Sequence, residues 1–281
     1  MKIRNLKPED LAEVKKLCDM VRWPLTTQDI RRLYELEPDG WFCAETDNQY
    51  VGQAMGITTG SLGCLGMVII HEDYRRKGTG TALTTHALNY LRNKGVQTIR
   101  LDATPEAYNI YRKLGFFDEF PVYHYIGGVA SDNSPLTKIL ETKPVRAGDL
   151  EAIIEFDKLL LGVSRAKILK ALFNDSRTFL LRQSNEIQGY VMCRGMTRLQ
   201  WLGPFVANDV PNAEKLLQQV LTEFSDREIR LGIPGINSSA ITLFHKYGFR
   251  KEFEITRMRY GLNFVGENTQ FIFAEAGHEK T

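Results

Sequence analysis

The sequence has few cysteines, and none of them stands in a metal-binding or redox spacing. Cys18, Cys43, Cys64 and Cys193 are the four cysteines among 281 residues, and no C-x-x-C pair occurs. A secreted disulfide scaffold would need a denser, paired set. A structural zinc site would need cysteines and histidines at short, regular spacing. We therefore predict reduced, mostly buried thiols in a cytoplasmic protein that holds no metal.

The sequence also lacks a strong net charge and a long apolar run. The 36 Lys+Arg residues nearly balance the 34 Asp+Glu residues, for a formal net charge of +2, so a nucleic-acid partner is not expected. No apolar run reaches the roughly 18 residues that a membrane helix requires, and the charged N-terminal segment differs from a signal peptide. A composition of 43% hydrophobic and 25% charged residues instead indicates an ordinary globular protein without a membrane partner.

Two stretches of the sequence repeat each other. Residues 99–101 read I-R-L and are followed by Y-R-K-L-G-F at 111–116, while 229–231 read I-R-L and are followed by F-H-K-Y-G-F at 244–249. The two copies lie about 130–140 residues apart, which is the length of one small domain. The repeat therefore predicts two related domains in tandem.

We place the first domain at residues 1–130 and the second at 140–281, with a polar, turn-rich linker at 131–139. Alternating strand and helix patterns predict that each is an α/β domain with a mixed central sheet flanked by helices. In the first domain we predict strands at 2–7, 41–46, 50–58, 64–70, 97–103 and from 116, and helices opening at Pro8 and over 27–36, 79–94 and 105–114.

The segment with the clearest chemistry joins the apolar strand at 64–70 to the helix at 79–94. It contains three consecutive cations at 75–77, followed by Gly78 and Gly80. Glycines allow a ligand to approach the backbone, and the free N–H groups of a first helical turn attract an anion. The pattern therefore indicates a phosphate-binding turn, although a glycine turn with solvated charges would have the same composition.

The stretch R-x-x-G-x-G at 75–80 resembles the pyrophosphate loop of the GNAT superfamily, the acyl-CoA-dependent N-acyltransferases. A second stretch, at 107–116, resembles the A-x-x-L-Y-x-K-x-G-F helix and turn of the same family. The resemblance covers about residues 2–128. One departure is Thr104, where the family often has an asparagine that contacts the cofactor.

This resemblance implies a GNAT fold and acetyl-CoA as the acyl donor, without a metal. The mechanism that it implies is direct transfer of the acyl group to an amine. The residues that it assigns to the cofactor are Met67, Val68, Ile70, Arg75, Arg76, Lys77, Gly78, Thr79, Gly80 and Thr81.

The resemblance also implies two catalytic residues. Tyr111 matches the family's general acid, which protonates the departing thiolate, and a core tyrosine is the alternative. Asp102, at a strand end that borders the acceptor cleft in a GNAT fold, is a candidate to bind the amine or relay its proton. A helix cap or strand-end contact is the alternative for Asp102. Trp23 follows the first helix, where it would either stack on the acceptor or pack in the core.

Four further residues have less specific interpretations. Glu45 and Glu72 are acids that could act through water, but both are more typical of solvated strand ends. His71 next to the loop is interpreted as a surface residue. Cys64 is interpreted as a packed thiol, because no His/Asp set accompanies it and the family transfers the acyl group directly.

The second half resembles the family only in part. It retains the downstream helix, including Asn237 seven residues before Phe244, which stands where the acid tyrosine would be. The segment at 207–213 has no glycine pair and no arginine cluster, and Asp209 would repel a phosphate. We therefore predict a degenerate GNAT domain with no cofactor site.

We predict an acyl-CoA-dependent N-acetyltransferase that acts on a small-molecule or peptide amine, as a monomer or homodimer. The alternative from another class is a non-catalytic acyl-CoA-binding sensor. The acceptor, the acyl preference and the role of the segment 262–281 stay open at this stage.

Overall fold

The fold is taken from a computed structural model that describes residues 1–60, 62–128, 145–146, 148–196, 199–262 and 268–277. The chain forms two compact units. The first contains residues 1–119 and 257–262, and the second contains the described residues between 120 and 256 together with 268–277. The predicted linker at 131–139 lies outside the described residues.

The first unit has a mixed sheet with helices α1–α4. From one edge of the sheet, neighbouring strands follow the order β1-β2-β3-β4-β5. The neighbours from β1 to β4 are antiparallel, and β4 and β5 are parallel. The prediction of a mixed α/β fold is therefore confirmed. The elements are β1 (Lys2–Asn5), α1 (Leu11–Met20), α2 (Thr27–Leu36), β2 (Trp41–Thr46), β3 (Gln49–Thr59), β4 (Leu62–Ile70), α3 (Thr79–Asn93), β5 (Thr98–Ala103), α4 (Pro105–Lys113) and the start of β6 (Phe117–Gly127).

Local sequence explains where α2 begins and which face of α3 is buried. Helix α2 starts at a capping box, in which the Thr26 side chain accepts from the backbone N–H of Asp29 at 3.0 Å and the Asp29 carboxylate accepts from the backbone N–H of Thr26 at 2.9 Å. Helix α3 buries Leu83, Ala87 and Leu91, spaced at helical intervals, against the sheet.

The second unit repeats this plan around a sheet of order β6-β10-β9-β8-β7. Its core includes Leu231 of β10, Phe205 of β9 and Leu216 of α7. Its elements are the rest of β6, α5 (Asp149–Leu161), α6 (Ala166–Phe173), β7 (Arg177–Gln183), β8 (Glu186–Gly195), β9 (Gln200–Ala207), α7 (Val210–Glu223), β10 (Ile229–Pro234), α8 (Ser238–Lys246), the start of β11 (Arg250–Gly261) and β12 (Ile272–Ala274).

The final strand of each sequence half completes the sheet built by the other half. The end of β6 pairs antiparallel with β10 in the second unit, with Tyr125 opposite Leu231. The end of β11 runs beside β5 in the first unit, where the backbone N–H of Leu262 donates to the carbonyl of Gln97 at 3.1 Å. Met258 of β11 is fully buried in the core of the first unit. Contiguous domain bounds cannot describe this exchange.

The described residues contain no helix that is both long and apolar enough to cross a membrane. Within the same described ranges, no group of three or more His, Cys, Asp or Glu side chains could hold a metal ion. The four cysteines are buried and are not joined in disulfides.

The exchanged strand generates a stability prediction. Met258→Ala removes a fully buried side chain from the first unit and should lower the free energy of unfolding by about 2–5 kcal/mol. Leu262→Ala in the same segment is the control, because Leu262 is 63% exposed and should change stability by less than about 0.5 kcal/mol. Urea unfolding followed by circular dichroism makes the comparison. Equal effects of the two substitutions would contradict a structural role for this strand in the first unit.

Candidate functional site

Strand β4 contains a bulge at the centre of the first unit. Gln53 of β3 lies opposite Ile69 of β4, whereas Met55, two residues further on, lies opposite Gly66, three residues back. The extra β4 residue is accommodated at Met67, whose φ of 53° is unusual for a residue with a side chain. Bulges and strained backbone of this kind are concentrated at functional sites, where they direct backbone groups away from the ladder.

Beside this bulge, β4 separates from its parallel neighbour β5. The last register pair between them is Cys64 with Arg100, although β4 continues to Ile70 and β5 to Ala103. No later pair joins the two strands among the described residues. The edge of β4 over 65–70 therefore turns backbone donors and acceptors toward an opening between the strands, and Met67, Val68 and Ile70 lie on this edge.

The loop after β4 is held in shape by its own cations. The Arg75 guanidinium donates to the carbonyl of Ile70 at 3.1 Å, and the Lys77 ammonium donates to the carbonyl of Asp73 at 2.8 Å. Gly78 then adopts a φ of 84°, a left-handed conformation that glycine reaches without steric cost. The loop thus leads the chain directly into α3.

The first turn of α3 leaves its backbone donors without a side-chain cap. Gly78 is the N-cap residue, and the first helical hydrogen bond runs from Ala82 N–H to the Gly78 carbonyl at 3.0 Å. Within the described part of the chain, the N–H groups of Thr79, Gly80 and Thr81 have no hydrogen-bond acceptor. Three aligned N–H groups at the positive end of a helix form a site for an anion such as a phosphate.

The loop, β4 and α4 meet at this helix end. A side chain at Gly80 would lie 3.5 Å from Ile70 and 4.0 Å from Ile110, so the helix start, the strand end and α4 are in close proximity. Tyr111, the next residue of α4, is 5% exposed and packs edge-on against Phe116, with 6.0 Å between the ring centroids.

Burial raises the pKa of the Tyr111 hydroxyl well above its ordinary value of 10.0. The hydroxyl makes no hydrogen bond to any of the described residues. A phenol that keeps its proton at neutral pH and has no protein partner can donate to a ligand. The Tyr111 hydroxyl therefore holds its proton at neutral pH, and its role as the general acid stays a prediction.

Asp102 lies at the end of β5 and is held by an arginine of the exchanged strand. Its two carboxylate oxygens accept from the Arg257 guanidinium at 2.5 and 3.2 Å, and the Asp102 side chain is 1% exposed. Such a bidentate, buried pair corresponds to the strand-end contact that was the alternative to amine binding. The sequence offered no signal for Arg257, because it lies 155 residues away from Asp102.

The remaining predicted residues have ordinary environments. Trp23 is half-buried between α1 and α2, and its backbone N–H donates to the Cys18 carbonyl at 2.9 Å. Glu45 pairs with Arg4 at 2.6 Å, and Cys64 is buried in β4. Glu72 is exposed in the turn after β4, and His71 accepts from the backbone N–H of Asp73 at 3.4 Å.

The equivalent helix end in the second unit is capped by its own side chains. Asp209 is the N-cap of α7, and its carboxylate accepts from the backbone N–H of Asn212 at 2.8 Å and from the Asn212 side chain at 3.0 Å. Pro211 in the same turn has no N–H to offer. A carboxylate thus occupies the position that a phosphate would take.

The opening between strands is also filled in the second unit. Among the described residues, strands β9 and β10 pair at Gln200 with Ile229 and at Trp201 with Arg230 and nowhere beyond, so the two strands then separate. Strand β12 lies along the free edge of β9, and the N–H of Glu275 donates to the β10 carbonyl of Gly232 at 2.9 Å.

The bulge is retained in the second unit, but it now contains a proline. Val191 pairs with Phe205, while Cys193 pairs with Leu202, so β9 also has one extra residue. Gly203 stands at the position of Met67, and Pro204 stands at the position of Val68 and has no N–H. Phe244, in place of the tyrosine, is fully buried. The second unit therefore lacks the N–H at the Val68 position and the tyrosine hydroxyl, and a carboxylate occupies its helix end.

Comparison with known proteins matches each half of the chain to a GNAT family model. The family model for the acetyltransferase (GNAT) family matches residues 9–116, and a model described as an acetyltransferase (GNAT) domain matches residues 153–274. A solved structure from Pyrococcus horikoshii has a TM-score of 0.84 at 24% identity and covers 100% of this chain and 95% of its own. That likeness shows the fold alone.

Several proteins are similar in sequence. The holothin acyltransferase of Pseudoalteromonas sp. is 23% identical over 93% of this chain and 89% of its own length. Acetyltransferase SG1711 of Sodalis glossinidius is 33% identical over 36% of this chain and 74% of its own length. With a GNAT model on each half and a relative of 33% identity, the chain belongs to the GNAT family of acetyltransferases and carries two such domains in tandem.

Proposed function

We propose that the protein is an N-acetyltransferase that transfers an acetyl group from acetyl-CoA to the amine of a small molecule, and that its first unit alone performs the reaction. The observation that supports this proposal best is the uncapped first turn of α3 beside the open edge of β4. Both features offer backbone donors that the described part of the chain leaves without acceptors.

The residues of the first unit suit the parts of an acyl-CoA molecule. The N–H groups of Thr79, Gly80 and Thr81 would bind the pyrophosphate, with the exposed Arg76 adding positive charge. The edge of β4 over 65–70 would bind the amide-containing arm as a neighbouring strand would. When bound, the cofactor supplies an acyl group activated as a thioester.

The chain's own residues would then act on the carbonyl oxygen and on the sulfur of the thioester. Backbone N–H groups at the Met67 bulge would donate to the carbonyl oxygen, where negative charge develops during acyl transfer. The Tyr111 hydroxyl would donate its proton to the departing sulfur as the C–S bond breaks, and the proton that the amine loses would return to the Tyr111 oxygen through solvent. We assign Asp102 a positioning role, in which its pair with Arg257 fixes the end of β5 from which α4 starts.

A small-molecule acceptor is supported by the similar acyltransferase that carries the name of a single compound, holothin, and aligns over both halves of the chain. The rival function is a sensor that binds acyl-CoA without turnover. Acetyl-CoA incubated with a panel of small amines, and assayed for free CoA thiol, separates the two. Release of CoA thiol that depends on one class of amine supports the enzyme. If no amine of the panel causes thiol release and acetyl-CoA still binds tightly, the sensor is supported.

The first functional prediction isolates charge at the loop. Gly78→Asp and Gly78→Asn place side chains of nearly equal size at a left-handed position that both residues tolerate better than most. Only aspartate adds a negative charge, which repels the pyrophosphate. The affinity for acetyl-CoA should therefore fall on the order of 10²-fold in Gly78→Asp relative to Gly78→Asn.

Titration calorimetry measures both affinity and stoichiometry. The unaltered chain should bind one equivalent of acetyl-CoA, and Asp209→Asn in the second unit should leave that value at one. Equal affinities for the two Gly78 variants, or two equivalents per chain, would contradict a single phosphate site at α3.

The second functional prediction concerns the general acid. Tyr111→Phe keeps the ring that packs on Phe116 and removes the hydroxyl, so kcat should fall about 10²-fold with little change in acetyl-CoA affinity. Because the pKa of Tyr111 is raised, the hydroxyl stays protonated beyond pH 10 and should cause no alkaline loss of activity below that pH.

Tyr108→Phe, on the same helix, is the matched control. The Tyr108 hydroxyl donates to Asp118 at the surface at 2.8 Å, while its ring packs against the core of the first unit as that of Tyr111 does. Single-turnover rates that drop equally in both variants would assign the effect to α4 packing instead of proton donation.

The third functional prediction separates the two roles of Asp102. Asp102→Asn removes the carboxylate charge that pairs with the buried Arg257 charge and should cost about 3 kcal/mol of unfolding free energy. Adding Arg257→Met removes the Arg257 charge. The double variant should therefore recover most of the lost stability, and its KM for the amine should be close to that of the unaltered chain. A double variant that recovers stability but keeps a raised amine KM would show that the carboxylate binds the acceptor.

A further inference from the structure

The segment 268–277 is held in the second unit by contacts made along its whole length. At its start, the Asn268 side chain donates to the carbonyl of Leu160 at 2.8 Å. At its end, the Arg194 guanidinium donates to the carbonyl of Ala276 at 2.7 Å and to that of Gly203 at 2.9 Å. Arg194 is 3% exposed, so a buried cation fixes the end of the segment to the bulge of β9.

Between these anchors, the segment behaves as a ligand of the opening between β9 and β10. Ile272 pairs with Val206 and Ala274 with Phe205, which satisfies the edge of β9 that β10 leaves free. The Phe273 ring is 1% exposed and lies 5.5 Å from the Phe205 ring. Main-chain pairing combined with a buried side chain is the usual way in which a sheet edge binds an extended peptide.

Asn237 joins the same segment to helix α8. Its side-chain Nδ2 lies 2.8 Å from the carbonyl oxygen of Ile272, 3.1 Å from that of Gln270 and 3.2 Å from that of Thr269. Its Oδ1 accepts from the backbone N–H of Ala240 at 3.0 Å, and the residue is 4% exposed. One buried amide thus caps the helix with its oxygen and binds the segment with its nitrogen.

We propose that the opening between β9 and β10 is a binding site for an extended peptide strand, and that its resident ligand is the chain's own segment 268–277. The strand lies along the edge of β9 that corresponds to the edge of β4 assigned above to acyl-CoA. This correspondence rests on the proposed function, whereas the binding of the segment does not. The second unit thus binds the segment 268–277 at the strand edge where the first unit would bind acyl-CoA.

The test uses the full chain with a protease recognition sequence placed within residues 263–267, cleaved only after folding and purification. The released fragment should stay with the protein at one equivalent through gel filtration. It should leave only on competition with a synthetic peptide of residues 268–281, whose fluorescent form then gives a dissociation constant. Loss of the fragment during gel filtration, with the melting temperature unchanged, would overturn the proposal.

A matched pair of variants tests the contact made by Asn237. Asn237→Asp keeps an oxygen to cap α8 but turns a carboxylate oxygen toward three carbonyls, so peptide affinity should fall by about tenfold or more. Asn174→Asp adds the same charge at an exposed position of the second unit and should leave the affinity unchanged. Equal affinities in the two variants would remove Asn237 from the site and overturn the assignment.

Acetyl-CoA binding, measured in the same samples, keeps this proposal distinct from the proposed function. The stoichiometry should be one in the intact chain, in the cleaved chain and after exchange of the fragment for the synthetic peptide, because Asp209 caps α7 and a peptide fills the opening in each sample. A second equivalent of acetyl-CoA in any of these samples would overturn the assignment of the opening to a peptide. Absence of acetyl transfer, with the fragment retained, would count against the proposed function alone.

Discussion

Every buried backbone N–H and C=O group needs a partner, and two parallel strands that separate leave a row of such groups without one. This constraint arises twice in the chain, where β4 leaves β5 after Cys64 and where β9 leaves β10 after Trp201. In the second unit, the chain satisfies the row with β12. In the first unit, the described residues supply no such strand, so the row can be satisfied by a ligand.

The starts of α3 and α7 follow the same rule for helix ends. A helix leaves its first N–H groups without internal acceptors, and these groups bind either a side-chain oxygen or an external anion. Asp209 supplies the oxygen at α7, whereas Gly78 has no side chain to supply it at α3. One N-cap residue thus decides whether the helix end is internally satisfied or available to a phosphate. Asp209 also brings a negative charge to the start of α7, whereas Gly78 brings none to the start of α3.

Local sequence patterns predict most of the helices and strands. They do not predict contacts between residues that are far apart in the sequence. The predicted α2 at 27–36 and β2 at 41–46 agree with the structure, because caps and alternation act over a few residues. The R-x-x-G-x-G turn was visible for the same reason. The pair of Asp102 with Arg257 and that of β9 with β12 join residues too far apart for any local pattern to signal. The bulge at Met67 was equally hidden, because its side chains are all apolar.

The exchange of final strands makes the first unit depend on residues from the second half of the sequence. The first half of the sequence builds the α3 turn and β4 but ends its own sheet at β5, since β6 pairs with β10. Residues 257–262, encoded after the whole second repeat, supply the buried Met258 and the Arg257 that holds Asp102. A chain that lost the second half would therefore leave β5 with an open edge and an uncompensated carboxylate next to the helix that carries Tyr111. Retention of the second half follows from this structural dependence and does not require it to bind acyl-CoA.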